Sequence, residues 1–118
     1  AMRRETKGEW FFRRVLDGTG IEDLRLCSAM QPECAVTLRL YRADEGGYDA
    51  ARSGEEGINR FRFTKENGKI IGANLDVPGE MHVFSEIRSD YFKWERVTVL
   101  ENKTWRTDCT IFASRKRN

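Results

Sequence analysis

The stretch MHVFSEIRSDYFKWERVTVLENKTWRTDCTIFASR, from Met81 to Arg115, decides the fold of this chain. Apolar or aromatic residues recur there at every second position, as at Phe92 and Trp94. Alternation with a period of two, interrupted by short polar turns, predicts antiparallel strands that have two different faces. We therefore expect three strands in this part of the chain, over Glu80–Arg88, Tyr91–Leu100 and Thr104–Ser114.

The rest of the chain continues this pattern. Asn67-Gly68 is the strongest hairpin signal, since both residues tolerate the positive φ of a type I′ turn. Only the segment after Gly20 fits a helix face as well as a strand, and its neighbours favour the strand. Further strands are predicted over Glu9–Leu16, Ile21–Met30, Ala35–Tyr41, Tyr48–Arg52, Ile58–Thr64 and Lys69–Asp76. About eight to nine strands at hairpin spacing predict an all-β, antiparallel up-and-down meander that closes into a barrel, as one domain over residues 1–118.

Charge and hydropathy exclude several classes of protein. The 118 residues are 39% hydrophobic, which predicts a folded core, and 21 basic residues nearly cancel 19 acidic ones. A net charge of +2 argues against a dedicated nucleic-acid binder, whose positive charge is usually larger and clustered. No apolar stretch has the length of a membrane span or the position of a signal peptide. These features predict a cytoplasmic protein that binds neither nucleic acid nor membranes.

The residues that could carry metal or catalytic chemistry are few. Cys27, Cys34 and Cys109 are odd in number, which favours buried reduced thiols, with a Cys27–Cys34 bridge as the alternative in an oxidising compartment. His82 is the only histidine, and no nucleophile motif accompanies it. A zinc site would need these four residues together, and no close cysteine pair anchors one. We expect no catalytic residue, no metal and no cofactor.

Polar residues interspersed with aromatic ones along the strands suggest a binding lumen. In a barrel alternate residues face inward, and a ligand lumen is mostly apolar with a few orienting polar groups. The alternative is that the charges face solvent while the aromatic residues fill a closed core. The candidate ligand-binding residues are Trp10, Arg14, Arg39, Tyr41, His82, Phe84, Glu86, Phe92 and Trp94.

Four segments carry a family resemblance: Trp10–Gly18, Thr37–Tyr41, Phe84–Trp94 and Lys103–Trp105. In these segments the chain resembles small bacterial lipocalin-like proteins, which are calycin-like in fold and largely uncharacterised. That family usually has a strand before the first tryptophan-containing strand, and the pattern of this chain starts after it. A barrel that lacks a strand would expose edges, which tend to pair, so we expect a homodimer.

The barrel and the resemblance together predict a protein that binds a small, mainly apolar molecule without catalysis. Trp10, Phe84, Phe92 and Trp94 would form the apolar wall, while Arg39, Tyr41 and Glu86 would orient the ligand. Arg39→Ala is then expected to weaken binding and to leave the fold intact. One alternative is an enzyme of secondary metabolism, of the cyclase or isomerase type, with His82 or Glu86 as acid or base. Another is a protein-interaction module that uses an open strand edge, which a filled core without a pocket would favour.

Overall fold

A computed structural model of the protein describes residues 7–27, 34–54 and 57–116. These residues form nine strands and one short 3-10 turn, Leu16–Gly18. The strands are β1 (Gly8–Val15), β2 (Gly20–Cys27), β3 (Ala35–Arg42), β4 (Gly47–Gly54), β5 (Gly57–Glu66), β6 (Lys69–Asn74), β7 (Glu80–Arg88), β8 (Tyr91–Val99) and β9 (Trp105–Ser114). The ambiguous segment after Gly20 is a strand, as predicted, whereas residues 28–30, the predicted break at 31–33 and the loop residues 55–56 lie outside the described residues.

The nine strands form one antiparallel sheet in which each strand pairs with its neighbours along the chain. The sheet curls through 242° into a half-barrel, which confirms the predicted all-β, up-and-down architecture. Tight turns connect the neighbouring strands. Asn67 and Gly68, for example, both have positive φ, of 49° and 77°, as a type I′ hairpin turn requires. Within the described residues β1 and β9 are the two ends of the sheet and are not hydrogen-bonded to each other.

The core lies on the concave face of this curled sheet. Phe61, Phe63, Phe84 and Trp94 are almost fully buried there, and Trp10 packs against them from β1. The Trp10 ring centroid lies 5.2 Å from that of Phe92 and 6.0 Å from that of Trp94, although β1 and β8 are far apart in the strand order. Aromatic side chains therefore connect β1 with β8 across the concave face, although no backbone hydrogen bonds join these two strands.

One glycine allows this core to pack. A Cβ on Gly72 of β6 would clash with three ring carbons of Phe63, which is 1% exposed. The backbone of β6 can approach the aromatic ring only because position 72 has no side chain.

No helix among the described residues is long and apolar enough to cross a membrane. Cys109 is half-buried and forms no disulfide, but Cys34 is disulfide-bonded, so the prediction of buried reduced thiols is wrong for Cys34. Counting an odd number of cysteines could not detect one disulfide-bonded pair beside a third cysteine.

Candidate functional site

A small cavity lies at the centre of the concave face. Its volume is about 10 Å³, which is room for about one water molecule. Charged and aromatic side chains surround it in place of the aliphatic ones that usually fill a small barrel. Its lining consists of Trp10, Asp23, Arg25, Thr37, Arg39, Arg52, Phe61, Phe63, His82 and Trp94.

The polar wall of the cavity comes mainly from β2 and β3. Side chains alternate between the two faces of a strand, and here it is the polar set of each strand that faces inward. Asp23 and Arg25 of β2 are 2% and 7% exposed, and Thr37 of β3 is 4% exposed. Their alternates, such as Leu24 and Val36, are exposed on the convex face. The amphipathic pattern of these two strands is therefore inverted relative to an ordinary apolar core.

Arg39 and Asp23 form an ion pair beside the cavity. Their side chains are only 11% and 2% exposed, so both charges are largely removed from water. The Arg39 guanidinium carbon also lies 4.7 Å from the ring centroid of Phe63 and 5.4 Å from that of Phe84, which adds a cation–π contact. Since a buried charge is costly without its partner, Arg39 has a structural role that the sequence does not reveal.

Arg25 lies between two tryptophans. Its guanidinium carbon is 4.6 Å from the Trp10 ring centroid and 4.3 Å from that of Trp94. Trp10 comes from the edge strand β1, whereas Trp94 comes from β8. Arg25 therefore links β1 with β8 through its contacts with both rings.

His82 is buried against the aromatic residues of the same cavity. It is 3% exposed, and its ring centroid lies 4.4 Å from that of Phe61 and 5.0 Å from that of Trp94. Burial lowers the pKa of His82 to about 4, and the attraction of Glu80 only partly opposes this effect. The imidazole is therefore neutral at pH 7.

Glu80, at the start of β7, and Asn74, at the end of β6, lie beside His82. Glu80 Oε2 lies 3.5 Å from His82 Nε2 and accepts a hydrogen bond of 2.8 Å from the Asn74 amide. The contact with His82, reinforced by the Asn74 hydrogen bond, lowers the pKa of Glu80 to about 2. Asn74 also accepts hydrogen bonds from the backbone N–H groups of Asp76 and Val77, so it fixes the turn that follows β6.

A buried nitrogen atom at the cavity, Trp10 Nε1, has no hydrogen-bond partner among the described residues. His82 Nε2 has the long 3.5 Å contact with Glu80 Oε2. Buried polar atoms in folded proteins are nearly always paired, so the Trp10 indole N–H needs an explanation.

The structure brings six of the predicted site residues together and separates three from them. Trp10, Arg39, His82 and Trp94 line the cavity, while Phe84 and Phe92 belong to the core around it. The three separated residues, Arg14, Tyr41 and Glu86, are exposed.

Each separated residue has a local physical reason for its position. Arg14 and Tyr41 have the inward-facing parity but lie near strand ends, where Tyr41 is 51% exposed and its ring lies tilted beside that of Tyr48. Glu86 lies in a bulge with a φ of 49°, which breaks its alternation with Phe84. Its carboxylate instead lies 3.8 Å from Lys93 Nζ.

Sequence reasoning missed Asp23, Arg25, Thr37 and Arg52. The alternation in β2 was the available signal, because Asp23 and Arg25 share one face while Leu24 and Leu26 share the other. An apolar face is normally taken as the inner one, and that assumption hides an inverted strand.

Comparison with known proteins adds no identification: no family model matches the chain, and no curated protein or solved structure matches it. The antiparallel half-barrel is compatible with a lipocalin-like fold. Among the described residues, no three histidine, cysteine or acidic side chains are grouped so that they could hold a metal ion.

Proposed function

We propose that the concave face of the half-barrel binds a small molecule with an apolar body and one anionic group, as a lipocalin-like binding protein would. The observation that carries the proposal is the buried Trp10 Nε1 atom, which has no hydrogen-bond partner among the described residues and lies at the cavity. An indole N–H is a donor only. An acceptor oxygen of a guest would pair it.

The charge of the lining favours an anion. The guanidinium groups of Arg25, Arg39 and Arg52 line the cavity, and Asp23 is the one carboxylate among the described lining residues. Guanidinium groups bind carboxylates and phosphates with paired, charge-assisted hydrogen bonds. The aromatic rings of Trp10 and Trp94 supply the apolar surface on which the body of the guest would lie.

The size of the cavity requires the wall to move. A volume of about 10 Å³ is far below the roughly 300–1,000 Å³ of ordinary ligand pockets. Trp10 is the side chain best suited to move, because it is half-buried on the edge strand β1 and reaches β8 through ring contacts alone. We propose that the ligand enters between the two ends of the sheet and displaces the Trp10 indole.

Native mass spectrometry of the freshly purified protein, compared with its mass after denaturation, tests for a retained guest. A matched pair of probes, 1-naphthoate and the uncharged 1-naphthalenemethanol, then tests the charge preference by tryptophan fluorescence. We expect the carboxylate to bind at least tenfold more tightly. Arg25→Gln should remove that preference, and Arg106→Gln, at a side chain 61% exposed, should leave it unchanged. A bare chain that binds neither probe at about 1 mM would refute the proposal.

A second candidate function is an enzyme in which His82 acts as acid or base, and the lowered pKa of His82 favours it. Glu86, the other residue considered for this role, is exposed and lies away from the cavity. An enzyme would convert a bound molecule, and His82→Gln would abolish the conversion. Recovery of the guest unchanged after long incubation with the wild-type protein would count against this candidate.

We propose an oxidising compartment in place of the cytoplasm, because Cys34 is disulfide-bonded and such bonds are rare in reducing surroundings. Alkylation of the unreduced, unfolded protein with iodoacetamide should then modify one of the three cysteines. Modification of all three would contradict this assignment.

A further inference from the structure

The convex face of β1, β2 and β3 carries a continuous apolar surface, which we call the outer patch. Phe11, Leu24 and Val36 lie side by side in the cross-strand register and are 50%, 39% and 43% exposed. The neighbouring positions of the same face extend this row with Leu26, Leu38 and Leu40.

The outer patch follows from the inverted pattern of β2 and β3. Because the polar alternates such as Asp23 and Arg25 fill the concavity, the apolar alternates of the same strands must face outward. Soluble monomers rarely expose contiguous apolar surfaces larger than a few hundred Å² unless those surfaces have a binding role. The inverted pattern therefore has two consequences. The interior of the half-barrel is charged, and the apolar outer face is suited to binding a partner.

We propose that a second copy of this chain covers the outer patch, with the two sheets packed face to face about a two-fold axis. From the exposed fractions, the patch presents on the order of 500 Å² of apolar surface. A standard interface buries about 800 Å² per partner, of which about 60% is apolar. The patch thus has about the apolar area that one side of a stable dimer needs.

The charges beside the outer patch suit a second copy as the occupant. Arg13 and Glu22 form a 2.7 Å ion pair in the row next to Phe11, with side chains 72% and 39% exposed. A two-fold axis places the outer patch of one copy against the outer patch of the other, so Arg13 of one copy can approach Glu22 of the other. The outer face thus carries charges of both signs, Arg13 and Glu22 with Glu9 opposite Leu26, and is self-complementary, whereas a surface for anionic lipid would carry basic residues alone.

Sedimentation equilibrium of the full chain tests the proposal. We expect the wild-type protein to reach twice its 13.7 kDa mass in the micromolar range. Leu24→Lys should weaken the dimer at least a hundredfold, since the two introduced charges would be buried close to the axis. The matched control is Phe112→Lys, because Phe112 is 61% exposed on the outer face of the other edge strand, β9. It should change the dissociation constant less than threefold.

Three further variants test the proposal if circular dichroism shows that Leu24→Lys does not fold. Phe11→Thr, which suits a strand, should weaken the dimer at least tenfold. Arg13→Glu should also weaken it, and Arg13→Glu combined with Glu22→Arg should restore it. The proposal is overturned if the wild-type protein stays monomeric at several hundred micromolar. It is also overturned if Phe112→Lys dissociates the dimer while the outer-patch variants do not, since association would then use the β9 edge. A ligand bound inside the half-barrel is neither required nor excluded by either result.

Discussion

Removal of one partner of the buried Arg39–Asp23 pair should cost far more stability than removal of an exposed pair. Arg39→Met keeps most of the aliphatic stem but leaves the Asp23 carboxylate, 2% exposed, without its guanidinium. Breaking a buried ion pair in this way typically costs about 3–5 kcal/mol. A domain of this size has a total stability of only about 5–15 kcal/mol, so the variant should be folded but close to its limit.

The experiment is a double-mutant cycle of Arg39→Met and Asp23→Asn, followed by urea unfolding with tryptophan fluorescence. Since Asp23→Asn removes the stranded charge, the double variant should be more stable than the sum of the two single changes predicts, by at least about 2 kcal/mol. The control cycle uses Arg13 and Glu22, whose side chains are 72% and 39% exposed. Its coupling energy should be about 0.2–1 kcal/mol.

The reasoning is refuted if Arg39→Met costs less than about 1 kcal/mol, or if its coupling to Asp23 equals that of the control pair. The stability of the fold would then not depend on the Arg39–Asp23 ion pair, and Arg39 could bind a ligand, as the sequence alone suggests. A large loss of stability would instead mean that binding experiments on Arg39 variants report folding as well as recognition.

Three further predictions concern single residues. The folded pKa of His82, about 4 against 6.5 for a free histidine, means that the fold prefers the neutral ring. Stability should therefore be full above pH 6.5 and fall by roughly 3 kcal/mol as the pH drops towards 4, and His82→Gln should flatten this part of the urea-unfolding profile. Gly72→Ala should destabilise the protein by about 1–3 kcal/mol because its Cβ meets the buried Phe63 ring, and an unchanged melting temperature would show that the ring can move. Gly68→Ala, at a φ of 77°, should cost about 1 kcal/mol in thermal unfolding, and a stabilised variant would contradict the type I′ assignment.

The fold could be predicted closely because its signals are local. Each strand is bounded by its own turn residues, and pairs such as Asn67-Gly68 specify a hairpin without reference to the rest of the chain. The predicted strand Glu80–Arg88 has the same bounds as β7. In a meander every strand pairs with its sequence neighbour, so local hairpin signals are enough to give the whole topology.

The candidate site could be predicted only in part. Which face of each strand points into the half-barrel depends on how the whole sheet curls, and the sequence of one strand does not show this. Period-two reasoning tells which residues share a face but not which face becomes concave, and so Asp23 and Arg25 were missed. The bulge at Glu86 is a second limit, since a single residue out of register reverses the facing of that side chain. Ion pairs such as Arg39–Asp23 join different strands and leave no trace in either strand's own pattern.

The bridge from Trp10 to Phe92 and Trp94 also has a consequence for how the chain folds. Every strand ladder in the sheet joins neighbours in sequence, and such short-range pairings form quickly. The ring contacts of Trp10 instead join the first strand to the eighth, so they must close a loop that contains most of the described chain. We therefore expect them to form last, with a low φ-value at Trp10 and higher values in the central hairpins. The Trp10 indole is then a spectroscopic reporter of the final step of folding, and its first loosening should mark the start of unfolding.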